Sequence, residues 1–249
     1  MTQIPDAVGA LERDLRDIFG SRLQSLVVYE TRSRDQSDHS KHAHGHSHAR
    51  EAPLTHTMAI VDTLAVSDLR ACVGRVEKWH GARLATPLVL AAHEFADSLD
   101  AFPLEFGAII ADHVVVSGKN PFDGLRIDPA DLRLACEVQA RSHLLHLREG
   151  YLETLGSPDA LAVLIVQSAA PFAALLKSVA RLQGVATHDH AAVGRHAERV
   201  LDLPGGIISD VIKLAGVSEI SSTEAVRIFP AYLDAVERLV KFVDGWSAT

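Results

Sequence analysis

The first third of the chain alternates two hydrophobic periods. Val8, Leu11, Leu15, Ile18 and Phe19 recur mostly three or four residues apart, which makes one apolar face of a helix, and Gly20 closes it as a C-cap. Leu23 to Tyr29 (LQSLVVY) and Met58 to Val61 (MAIV) are short β-rich runs. The polar stretch Thr31 to Thr55 between them has no periodicity and reads as a long loop. Ser67 then offers an N-cap for a helix over Asp68 to His80, with Leu69, Val73 and Val76 on one face. Pro87 to Leu90 reads as a third strand, Ala92 to Leu99 as a short helix and His113 to Val116 as a fourth strand. Strands interleaved with helices in this order predict an α/β or α+β sheet domain.

The pattern changes after the turn-rich Gly118 to Gly124. Asp128-Pro129 and Ser157-Pro158-Asp159 each place a cap before a proline at the first helical position, opening helices to about Leu155 and about Leu182. Shorter helices are expected over Ala191 to Leu201 and Gly206 to Ala215. A last one runs from Thr223 to Val243, with Pro230 inside it as a kink or a break. The chain therefore divides into an α+β domain, residues 1–127, and an all-α helical bundle, residues 128–249.

Composition narrows the partners. Hydrophobic residues make up 47% of the 249 residues, charged residues 22%, and the formal net charge is −8, which suits a globular domain and not a nucleic-acid backbone. Ala160 to Leu176 is apolar and uncharged, but Gln167, Ser168 and Pro171 interrupt it, so a buried central helix is expected rather than a membrane span. Cys72 and Cys136 read as buried thiols in a reducing compartment, and the N-terminus shows no basic region followed by an apolar run; a cytoplasmic protein is the expectation.

One string carries a family likeness. Phe19-Gly20-Ser21-Arg22-Leu23 through Tyr29, then a loop, then Met58 to Asp62, resembles the opening of the polymerase-β-like nucleotidyltransferases, especially bacterial members with an appended helical domain. Ser98 to Phe106 and Pro121 to Leu125 also look like members of that group. The resemblance implies a small mixed sheet with flanking helices, followed by helices. It also implies a Gly-Ser turn that approaches a triphosphate and a D-x-D pair that holds divalent metal. Here the Gly-Ser position is Glu30-Thr31 and the D-x-D position is Thr55-His56-Thr57. A glutamate repels phosphate, and hydroxyls replace carboxylates poorly as magnesium ligands. No third carboxylate stands near Pro87 to Leu90, and Asp62 lies at the far end of its strand. The departures point to a degenerate nucleotide site at Glu30, Thr31, Thr55 and Thr57, and they speak against nucleotide binding.

The same loop carries His39, His42, His44, His46 and His48, with His56 a few residues on. Neutral imidazoles suit Zn²⁺ or Ni²⁺, so these six are the candidate metal ligands; Mg²⁺ enters only if the chain is active. Arg181 and His188 match the loose Arg-His spacing of HEPN ribonucleases and read as a surface arginine and a loop histidine. Three functions remain open at this point. The leading one is a non-catalytic protein that binds a ligand or protein partner through the former cleft. The others are an active nucleotidyltransferase with a rearranged site, and a zinc- or nickel-binding protein. A homodimer through the C-terminal helices is compatible with each.

Overall fold

The computed structural model describes residues 5–29, 54–185, 187 and 189–246, which fall into two compact units, Met1–Ile127 and Asp128–Thr249. The first unit is α+β. Helix α1 (Asp6–Phe19) ends at Gly20, whose φ of 57° is the left-handed conformation that lets the chain turn through Gly20–Arg22 into β1 (Leu23–Tyr29). Strand β2 (His56–Val61) follows, then helices α2 (Val66–Val73) and α3 (Val76–Gly81), β3 (Leu88–Ala91), α4 (Ala92–Ser98), α5 (Pro103–Ala111) and β4 (His113–Gly118). The sheet order is β3-β2-β1-β4, with β1 antiparallel to both β2 and β4, and β2 parallel to β3.

The two central strands are buried on both faces, which is why they read as near-continuous apolar runs. Leu26, Ala59 and Val61 pack with Val8, Leu11 and Leu15 of α1 and with Trp79 of α3. On the other face Val27, Tyr29, Met58 and Ile60 pack with Phe95, Phe106, Ile109 and Phe122. Gly118 ends β4 with a φ of 79°, and a Cβ there would stand 1.9 Å from the Gln24 carbonyl oxygen, so the edge strand can close on β1 only with glycine at this position.

The expected single helix over Asp68 to His80 is two helices broken at Gly74, and the inward face differs from the one expected. Leu69 and Val73 are exposed, at 45% and 71%, whereas Asp68, Cys72 and Trp79 are buried. Polar pairs set this rotation. Asp68 receives both terminal nitrogens of Arg22 at 2.8 Å and the Ala65 N–H at 2.9 Å. The Arg22 bonds and the backbone bond hold its carboxyl at about 2. Asp14, 3% exposed on α1, accepts from Arg75 at 2.6 Å, Lys78 at 2.8 Å and the Trp79 indole at 2.9 Å. Burial opposes its ionisation, but the Lys78 and Trp79 bonds and the neighbouring cations outweigh that and lower its pKa.

The second unit is all helix: α6 (Pro129–Glu153), α7 (Pro158–Leu182), α8 (His190–Val200), α9 (Ile207–Lys213) and α10 (Ser222–Gly245). Asp128, Ser157, Asp189 and Ser221 cap four of them through side-chain oxygens. Helix α7 is long and apolar enough to cross a membrane by length and composition, yet its residues Ile165, Ala169 and Phe172 have no exposed surface and form the centre of the bundle. Helix α10 runs unbroken through Pro230, which is exposed; Val226, whose carbonyl loses its helical partner there, is 52% exposed, so water can take the bond. Inside the bundle the Tyr232 hydroxyl donates to Ser168 Oγ at 3.2 Å and lies 2.8 Å from His143 Nε2, and the His143 ring stacks on Phe172 at 5.3 Å. Burial, aided by His146, pushes the His143 pKa down to about 4.

Candidate functional site

Of the positions that the family likeness marks, Thr55 and Thr57 are described, just before and within β2, beside the end of β1. Antiparallel pairing sets Tyr29, the last residue of β1, opposite His56, the first of β2, and Val28 opposite Thr57. On the other side of β1, Tyr29 pairs with His113 of β4. Residues directly opposite in a sheet share a face, so His113, Tyr29 and His56 form a row across three strands. The Tyr29 and His56 rings lie 5.9 Å apart. His113 Nδ1 donates to the carbonyls of Ile109 and Ile110 at 3.1 Å, its Nε2 stands 3.2 Å from Asn120 Oδ1, and its ring meets Phe122 at 4.6 Å. Nothing in the local sequence marks His113 as part of this row, because only cross-strand register brings it there.

Thr55 and Thr57 lie on the opposite face of β2. Thr55 bridges the segment before β3, its N–H donating to the Arg83 carbonyl at 3.0 Å and its carbonyl accepting from the Ala85 N–H at 2.9 Å. Thr57 is 1% exposed, and its hydroxyl has no hydrogen-bond partner among the described residues. Glu30, Thr31, His39, His42, His44, His46 and His48 lie outside the described residues.

The carboxylates that follow β2 and β3 are at the other end of the sheet. Val61 pairs with Ala91, so Asp62 after β2 and Glu94 after β3 both emerge at the end of the sheet opposite to Thr55. Asp62 lies five residue steps along the strand from Thr57, a distance of about 17 Å. Asp62 accepts a bond from Gln24 at 3.3 Å, and Glu94 accepts the Ala91 N–H at 2.9 Å at the start of α4. Beside Thr55, near the entry to β3, stand His80 and Thr86, 3.0 Å apart. Among the described residues no group of three His, Cys, Asp or Glu side chains is placed to hold a metal ion. Where the family likeness expects two aspartates, the side chains are thus one sealed hydroxyl and one hydroxyl before the strand, which do not fit a magnesium ion that bridges to a triphosphate.

Arg181 differs from the surface arginine expected. It is only partly exposed, its Nη2 donates to Ser178 Oγ at 2.8 Å, and burial lowers its pKa; His188 lies outside the described residues.

No family model matches this chain, and no curated protein matches it. Among solved structures, the fold is similar to the crystal structure of a spectinomycin adenyltransferase from Enterococcus faecialis with ATP and spectinomycin. The TM-score is 0.52 at 9% sequence identity, over 94% of this chain and 98% of that one. The small mixed sheet with flanking helices, followed by helices, defines a nucleotidyltransferase-like fold. At that identity the likeness concerns the fold alone.

Proposed function

We propose that this protein is a degenerate nucleotidyltransferase-like protein, which performs no nucleotidyl transfer and binds a ligand or protein partner at the former cleft. One observation supports the reading: where the family likeness expects two aspartates, Thr55 stands just before β2 and Thr57 within it, and Thr57 is buried to 1% exposure. Transfer of a nucleotidyl group needs divalent metal to neutralise charge on the triphosphate, and a sealed hydroxyl offers the metal neither charge nor access. Asp62 and Glu94, the carboxylates that follow β2 and β3, leave the sheet at its opposite end, which disfavours the alternative of an active enzyme with a rearranged site.

Calorimetry on tag-free protein tests this directly, with ATP or GTP plus Mg²⁺ as titrant and spectinomycin as a separate one. No magnesium-dependent nucleotide binding is the expected result. Heat that appears only when Mg²⁺ accompanies the nucleotide, or transfer of an adenylyl group to spectinomycin, would overturn the reading.

A second reading, a zinc- or nickel-binding protein, has its own support. His56 stands beside Tyr29 at the strand ends joined by the histidine-bearing residues 30–55. Zinc affinity that disappears on deleting residues 38–48 establishes it; affinity that survives the deletion removes it.

A further inference from the structure

Helix α6 is apolar on two sides. Leu132, Cys136, Ala140, His143, Leu144 and Leu147 face the bundle. On the opposite side Leu134 is 54% exposed, Val138 60%, Leu145 63% and Leu152 73%, with Leu155 just beyond the helix at 91%. Val138, Leu145 and Leu152 recur every seven residues, so they form one stripe along the helix rather than scattered surface residues. A contiguous stripe of this length marks an interaction surface.

The charges in that stripe specify what covers it. Arg141 lies four residues before Leu145 and Glu149 four after it, while Val138 and Leu152 lie seven before and seven after. When two copies of one helix cross antiparallel about a two-fold axis, residues equidistant from the crossing point on opposite sides meet. With Leu145 on the axis, Val138 faces the second copy's Leu152, Arg141 faces its Glu149, and the Leu134 end meets its Leu155 end. The stripe is therefore complementary to itself in shape and in charge. Within one chain, Arg141 donates Nε to Glu137 at 3.1 Å and Nη2 to Asp244 at 2.8 Å, and a guanidinium has five donors, so it can take a further carboxylate. Glu149 has no ion pair among the described residues, and it lies eight residue steps along the helix, about 12 Å, from Arg141 of its own chain.

We propose that the exposed face of α6 is a homodimer interface, in which two copies of the helix cross antiparallel at Leu145. The stripe consists of residues of the second unit alone and shares none with the strand-end positions of the first, so its test is separate from that of the functional reading.

Light scattering across a concentration series is expected to give a mass twice the 26.9 kDa of one chain. Leu145→Asp is expected to return the monomer mass, with circular dichroism unchanged. Two charge reversals keep the test sound if that variant fails to fold. Arg141→Glu alone and Glu149→Arg alone each set like charges together in a homodimer and are expected to dissociate it. An equimolar mixture of the two sets opposite charges together at both contacts and is expected to restore the dimer. A wild type that stays monomeric throughout the series overturns the proposal. So does a dimer that survives the substitutions, or a mixture that stays monomeric.

Discussion

A threonine hydroxyl with no partner at 1% exposure is a cost that the fold carries at Thr57. A buried hydroxyl that finds no hydrogen bond has lost its water and received nothing in exchange. Thr57→Val removes that group at nearly constant volume, and its expected effect is a stability gain of up to about 1 kcal/mol, read from the urea midpoint. Thr57→Asp, which recreates a carboxylate of the family pattern, is expected to destabilise by about 3 kcal/mol, because the charge is buried among apolar neighbours without a cation or metal to meet it. A loss of stability in Thr57→Val would mean that the hydroxyl has a partner. That this residue sits in a strand after a long loop was legible in the sequence. Its burial was not, since burial depends on what the opposite strands and helices place over it.

Helices show the same division. Caps such as Asp128 and Ser157 lie next to the turns that they start, so the beginnings of α6 and α7 could be read locally. The inward face of α2 and α3 could not. Arg22 and Asp14 come from elements 46 and 64 residues before their partners Asp68 and Lys78, and these contacts, with the break at Gly74, turn Leu69 and Val73 outward. His143 likewise looks like a surface histidine on α6 until α10 brings Tyr232 against it. Its pKa falls from 6.5 to about 4 on folding, chiefly through burial, so between those values the unfolded chain takes up a proton that the folded chain refuses. Stability is full above pH 6.5 and is lost as pH falls toward 4. The loss from this residue is on the order of 3 kcal/mol. His143→Gln is expected to flatten that part of the pH profile of the urea midpoint relative to wild type; parallel profiles would show that His143 is protonated in the fold.

At the scale of the molecule, each unit has a hydrophobic core of its own. Residues 128–249 bury Ile165, Phe172, Tyr232 and Val236 among helices of the same unit, so this segment expressed alone is expected to give a helical circular dichroism spectrum and a single cooperative thermal transition. A gradual transition would show that its core needs the first unit. In that first unit the sheet is built around β1 and β2, neighbours in register that are joined by the 26 residues 30–55. Bringing the ends of so long a connection together costs about 1.5 kcal/mol more than a four-residue turn, since loop closure grows only with the logarithm of length. This tolerance leaves the connection open to evolutionary insertion. A segment of foreign composition, rich in histidine or in anything else, can enter or leave the chain between these strands without the sheet having to change.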